Sequence, residues 1–180
     1  MRATIHKLFW LWSFDKEEKW LNEMAAKGLV LVSVGLLRYE FENCVPGEYN
    51  IRMEMLKNSV NNPESQNYIH FLEDTGIEHV GTLLRWVYFR KKSNTAPFDL
   101  FSDIDSRISH INRMLVIPAI FGILNIINAV NMTRQYIRYD MEIALTIAIL
   151  VWLVSFLMVY GFIRLLIKRN KLVRERMLHE

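Results

Sequence analysis

Two charge-free stretches decide the architecture: Met114–Thr133, "MLVIPAIFGILNIINAVNMT", and Ile143–Ile163, "IALTIAILVWLVSFLMVYGFI". They hold 20 and 21 residues and contain no Asp, Glu, Lys or Arg. At ~1.5 Å rise per residue each forms a helix of roughly 30 Å, the thickness of a bilayer's hydrocarbon core. A buried helix of a soluble bundle rarely stays uncharged over such a length. Only "RQYIRYDME" (134–142) separates them. That connection is too short for a domain, so the sequence predicts an antiparallel transmembrane hairpin.

The flanks of the hairpin predict its orientation. Arg107 and Arg113 precede the first span, and Arg164, Lys168, Arg169, Lys171, Arg174 and Arg176 follow the second. In the turn, Arg134 and Arg138 are balanced by Asp140 and Glu142. Counting Lys and Arg near short loops places both termini in the cytoplasm and the turn outside. The net charge of +3 conceals a split: residues 1–100 carry 12 basic and 13 acidic side chains, residues 101–180 carry 10 and 6. The positive excess therefore lies beside the spans and suits anionic lipid. The basic tail, 164–180, lacks the interleaved aromatics of a nucleic-acid binder, and no nucleic-acid partner is expected. A single cysteine, Cys44, excludes an internal disulfide and fits a reducing compartment. "MRATIHKLFWLWSFD" is expected not to be a secretory leader, since Asp15 ends its apolar run and no small-residue cleavage site follows.

The first ninety residues alternate between strand and helix signals. "HKLFWLWSF" (6–14) is aromatic-dense and reads as a strand. Asp15 and Glu18 have capping-box spacing, and acidic Glu17 and Glu18 suit a helix N-terminus. Trp20, Leu21, Met24 and Ala25 recur at helical spacing up to the terminator Gly28. "LVLVSVGLLRYEFEN" (29–43) and "YNIRMEML" (49–56) alternate across the turn "VPGE" and read as a hairpin. Pairing Asn43 with Tyr49 sets Glu40 opposite Arg52 and Arg38 opposite Glu54, with Phe41 facing Ile51 and Tyr39 facing Met53. Asn62 and Pro63 open a second helix, and Gly76 ends it. "IEHVGTLLRWVYFRKK" (77–92) reads as one strand bent near Gly81. The order β-α-β-β-α-β predicts an α+β, ferredoxin-like antiparallel sheet domain over 1–92, followed by the hairpin.

"SNTAP" (93–97) breaks the domain from a linker and amphipathic helix ending at residue 113. Phe101, Ile104, Ile108, Ile111 and Leu115 make its apolar seam, and Ser102 with Asp105 repeats the capping-box spacing. This helix lies at the membrane surface, joins a coiled seam or packs on the sheet domain. In the first span Pro118, Gly122, Asn125 and Ala129 form a small or polar stripe flanked by Asn128. In the second, Ala144, Ala148, Val151 and Ser155 repeat the spacing. Small residues permit close helix approach and Asn can bond across it, so Gly122, Asn125, Asn128, Ala129, Ala148 and Ser155 are the candidate transmembrane interface.

"FDKEEKWLNEMAAKG", "VSVGLLRYEFEN", "PGEY", "RWVYFRKK" and "FSDIDSRI" resemble a bacterial family of unknown function whose members join such an N-terminal domain to C-terminal transmembrane helices. The resemblance covers about residues 5–113. It implies an inner-membrane location and genes often encoded beside PadR-type transcriptional repressors. It carries no catalytic residue over, because the family has no established activity.

No motif of known chemistry appears: no Walker loop, GxGxxG, GxSxG or HExxH, and the histidines are scattered. No cofactor, metal or enzymatic activity is expected. Arg38, Glu40, Arg52 and Glu54 are the candidate binding face, on the open side of the predicted sheet. The expectation is a membrane-anchored regulatory or sensory adaptor, whose cytoplasmic domain binds a protein partner or small ligand, with lipid around the hairpin and homo-oligomerisation as a further option. The alternative is an accessory subunit of a membrane transporter, and a membrane-bound enzyme ranks below both.

Overall fold

In a computed structural model, residues 2–93, 98–101, 103–139 and 142–179 are described. The predicted Ser102 cap, most of the "SNTAP" break and the Asp140–Met141 part of the interhelical turn lie outside them. The chain divides into two compact units, Met1–Asp103 and Ile104–Glu180.

The first unit is mixed α+β and contains two small antiparallel sheets. The chain runs through β1 (Arg2–His6), a 3-10 turn (Leu11–Ser13), α1 (Phe14–Ala26), β2 (Leu29–Gly35), β3 (Arg38–Asn43), β4 (Tyr49–Met55), α2 (Pro63–Asp74), β5 (Glu78–Leu83) and β6 (Trp86–Lys92). The sheet orders are β1-β3-β2 and β4-β6-β5. Each half is therefore a βαββ unit whose last strand lies in the middle. The two halves repeat 48 residues apart. Gly28 and Gly76 follow the two helices at left-handed φ of +85° and +79°. The registers slip at matching places, between Leu31 and Ser33 and between His79 and Gly81. The two-residue hairpin loops, Leu36–Leu37 and Leu84–Arg85, also correspond.

This arrangement corrects the predicted β-α-β-β-α-β order and its strand register. The stretches 29–43 and 77–92 each fold into a hairpin, because a single strand of that length exceeds what a small sheet can pair. Strands β3 and β4 lie in different sheets, so Glu40 does not face Arg52, Arg38 does not face Glu54, Phe41 does not pair with Ile51 and Tyr39 does not pair with Met53. Glu40 pairs with Thr4 and Ser33, and Arg52 with Phe89. The first strand is Arg2–His6, and the aromatic segment after it is loop and 3-10 turn.

Helix α1 starts at Phe14, so Asp15 lies in its first turn and is not its cap. Leu21 and Ala25 pack with Leu31 and Phe41 of one sheet and Ile51 and Met53 of the other in one hydrophobic core. Asn22 makes two bonds to one residue of β4: its Nδ2 donates to the Ile51 carbonyl at 2.8 Å, and its Oδ1 accepts from the Ile51 N–H at 2.9 Å. Glu18 Oε2 accepts from the Met53 N–H at 3.0 Å. Helix α2 begins at Pro63, with Asn62 Oδ1 accepting from the Glu64 N–H at 2.9 Å as its sequence implies. It covers the other face of the second sheet, where Ile69 and Leu72 meet Val87 and Phe89. Strands β2 and β5 come close where Gly81 sits, since a Cβ there would lie 3.1 Å from Val34 Cγ1.

The second unit consists of two long helices, α3 (Ile104–Tyr139) and α4 (Glu142–His179), of 36 and 38 residues. Helix α3 runs on through Pro118. The pair is antiparallel: Asp105 accepts from Arg176 at 2.8 Å, Asn112 accepts from Arg169 at 2.9 Å, and Trp152 Nε1 donates to Thr133 at 3.3 Å. Both helices are long and apolar enough to cross a membrane, and only 22 % and 17 % of their most apolar stretches is buried. That exposure differs from the core helix of a soluble domain, which hides its apolar surface.

Candidate functional site

The segment between β1 and α1 is held by the Lys7 N–H, which donates to the Leu37 carbonyl at 3.1 Å. This draws Leu8, Phe9 and Trp10 over the end of the first hairpin and encloses a cleft of about 210 Å³. Its walls combine aromatic and leucine side chains. Phe14 and Trp86 face each other with ring centroids 5.9 Å apart, and Phe9 meets Tyr39 edge-on at 6.2 Å. The mouth carries exposed apolar side chains, Leu8, Trp10, Leu36 and Leu37. Leu37 sits at φ 60°, and Leu84 of the second hairpin at φ 58°. A left-handed φ on a bulky residue is sparsely populated, and such strain concentrates at ligand clamps and functional sites.

The deep end of the cleft is polar. Glu17 of α1 is 7 % exposed, and its Oε1 accepts from the Tyr39 hydroxyl at 2.7 Å and from the Tyr88 hydroxyl at 2.6 Å. Burial pushes the Glu17 carboxyl above the usual carboxylate range, and the bonds from Tyr88 and Tyr39 oppose this only in part. Burial and the adjacent carboxylate push both tyrosine hydroxyls upward, so they remain protonated donors. Among the described residues the basic member of the lining is Lys7, whose ammonium lies 4.9 Å from the Phe9 ring centre and 4.4 Å from that of Trp20. The site thus holds a buried carboxyl group fixed by two tyrosine hydroxyls at one end of the cleft.

The candidate face read from the sequence is dispersed. Arg38, exposed, and Glu40, half-buried, form an ion pair at 2.5 Å on β3. Arg52 donates to the Phe98 carbonyl at 3.0 Å and to Glu18 at 3.2 Å. Glu54 is buried under α2, where the Tyr68 hydroxyl donates to it at 2.7 Å. In the helix pair, Gly122 and Ala129 of α3 are buried, as are Ala148 and Ser155 of α4, and a Cβ on Gly122 would meet Met158 at 3.6 Å. Asn125 donates to the Phe121 carbonyl of its own helix at 2.8 Å, and Asn128 is exposed.

The residue that sequence reasoning missed is Glu17. Read as one acid of a helix's first turn, it in fact lies on the apolar stripe, three residues after Phe14 and four before Leu21. A carboxylate at that helical spacing was the available signal. No curated protein and no solved structure matches the chain. A family described as "Protein of unknown function (DUF2812)" matches residues 13–123, a stretch that includes Glu17, Tyr39, Trp86 and Tyr88 and begins after the Lys7–Leu11 wall. The chain, with its paired βαββ halves leading into two long apolar helices, belongs to the DUF2812 family.

Proposed function

We propose that the chain is a membrane-anchored, non-catalytic regulatory or sensory adaptor, whose N-terminal unit binds a small ligand or protein partner and whose two long helices hold it in the bilayer. The observation that carries the reading is the aromatic cleft closing on Glu17, a concave site with few, fixed polar groups. Strained Leu37 at its mouth supports the same reading. The exposed apolar flanks of α3 and α4 suit lipid. The basic cluster from Arg164 to Arg176 supports cytoplasmic termini. The finer identity proposed with it is an α+β unit in the bacterial inner membrane, encoded near a PadR-type repressor as the family resemblance implies.

Photo-crosslinking in native membranes tests the adaptor reading. A reactive side chain replaces Leu36 at the cleft mouth or, separately, Ile123 on the exposed face of α3. A defined adduct from Leu36 is expected, with lipid adducts from Ile123. A transporter subunit captured from Ile123, with nothing captured from Leu36, would overturn it in favour of an accessory subunit.

A further inference from the structure

The adaptor reading leaves open which chemistry the cleft selects. We propose that the cleft binds a small organic cation: an ammonium group donating to Glu17 Oε2, carried on an aromatic or aliphatic body that packs against Tyr39, Phe14 and Trp86. This rests on the reading of the cleft as a ligand site and names what enters it.

Four observations converge. Glu17 is more than nine-tenths buried, and the Tyr39 and Tyr88 hydroxyls both donate to its Oε1. Glu17 itself lines the cleft. Burying a carboxylate is costly even with hydroxyl donors, and an ammonium donor supplies both the opposite charge and a further hydrogen bond. The two tyrosine hydroxyls stabilise the ionised form and fix the carboxylate's orientation before a ligand arrives. The lining includes six aromatic rings, and the negative quadrupole of a ring face favours cations. Lys7 already rests its own ammonium on Phe9 and Trp20. The volume, about 210 Å³, lies below the roughly 300–1,000 Å³ of drug-sized ligand sites, which limits the ligand to a small body. An anion is disfavoured, because it would meet Glu17 at the deep end.

The groups facing Glu17 are Tyr39 from β3 and Tyr88 from β6, and Lys7 lines the same cleft. Since burial raises the Glu17 carboxyl, a cation binds more tightly as pH rises through that titration, which converts the acid to the carboxylate.

The test uses the full chain in detergent micelles and three probes of similar shape: 2-phenylethylamine as the ammonium, 2-phenylethanol as the neutral and 3-phenylpropionate as the anion. Tryptophan fluorescence, with Trp86 and Trp10 in the cleft, reads saturation. The expected result is saturable binding of the amine, about tenfold or more tighter than of the alcohol, strengthening with pH, and no binding of the acid. Glu17→Gln keeps an oxygen for both tyrosines, so it should fold and lose the preference for the amine. Equal binding of amine and alcohol, or unchanged amine binding in Glu17→Gln, overturns the cation assignment while leaving the cleft a ligand site. Saturation by none of the three also overturns it, and the Leu36 crosslink then decides the adaptor reading separately.

Discussion

Glu17 and Ser65 occupy the same place in the two βαββ halves, 48 residues apart on α1 and α2. Both are buried, at 7 % and 5 % exposure. The next inward position is Leu21 in one half and Ile69 in the other. The backbone plan is shared, yet one half buries a carboxylate and the other a hydroxyl. The cause lies in what each helix faces. Helix α1 meets both sheets, so Tyr39 of β3 and Tyr88 of β6 can converge on one oxygen. Helix α2 covers the outer face of a single sheet and meets Val87 and Phe89. The repeat thus supplies a scaffold twice and a polar cleft once, where the two copies meet.

Truncations break the comparison most strongly. Leu21→Ala is expected to cost about 3–5 kcal/mol and Ile69→Ala about 2–4, because Leu21 is closed in by two sheets and Ile69 by one. Thermal unfolding in detergent, followed by tryptophan fluorescence, measures both, and equal losses would erase the distinction between the helices. Next in size is Asn22→Ala, which strips partners from the Ile51 N–H and carbonyl and is expected to cost about 1–3 kcal/mol. The equivalent α2 residue, His70, is exposed beside Glu73, so His70→Ala should change the unfolding midpoint hardly at all.

A smaller effect depends on pH. The folded Glu17 carboxyl is raised above its unfolded value, so its contribution to stability is fully present below the ordinary carboxylate range and is lost as pH rises through the folded pKa. Glu17→Gln removes that loss. The variant should match the native chain in acid and melt higher at pH 8, whereas Ser65→Ala should leave the shape of the pH profile unchanged. A native-like profile in Glu17→Gln would show that the carboxyl is not strained by burial. The smallest effect belongs to the hairpin loops. Leu37→Asn and Leu84→Asn place a residue tolerant of left-handed φ at each loop and should each stabilise by up to about 1 kcal/mol. A gain at Leu84 accompanied by weaker ligand binding only at Leu37 would separate the loop that lines the cleft from the one that does not.

Much of this architecture is legible from residues. The Asn62–Pro63 start, the Gly28 and Gly76 stops, the alternation of β3 and β4 and the uncharged lengths of α3 and α4 all announce themselves. The hairpin loops do not, because Leu36–Leu37 and Leu84–Arg85 contain no Gly, Pro, Asn or Asp. Without those turns, two hairpins read as two strands, and the repeat of βαββ units reads as one ferredoxin-like sheet. The opposite charges of Arg38, Glu40, Arg52 and Glu54 then matched by composition in a pairing the chain does not make. The cleft was hidden for a related reason: "HKLFWLWSF" has strand composition, but its place depends on one bond from Lys7 to the hairpin end.

The Asn22 and Glu18 contacts with β4 have a consequence for association between chains. β4 is the outermost strand of its sheet, and an outermost strand of alternating apolar residues is a template on which another molecule's strand can add. By occupying both backbone groups of Ile51 and the N–H of Met53, α1 blocks that template with side chains of its own molecule. A helix placed to build a core thereby also protects the chain against edge-to-edge aggregation.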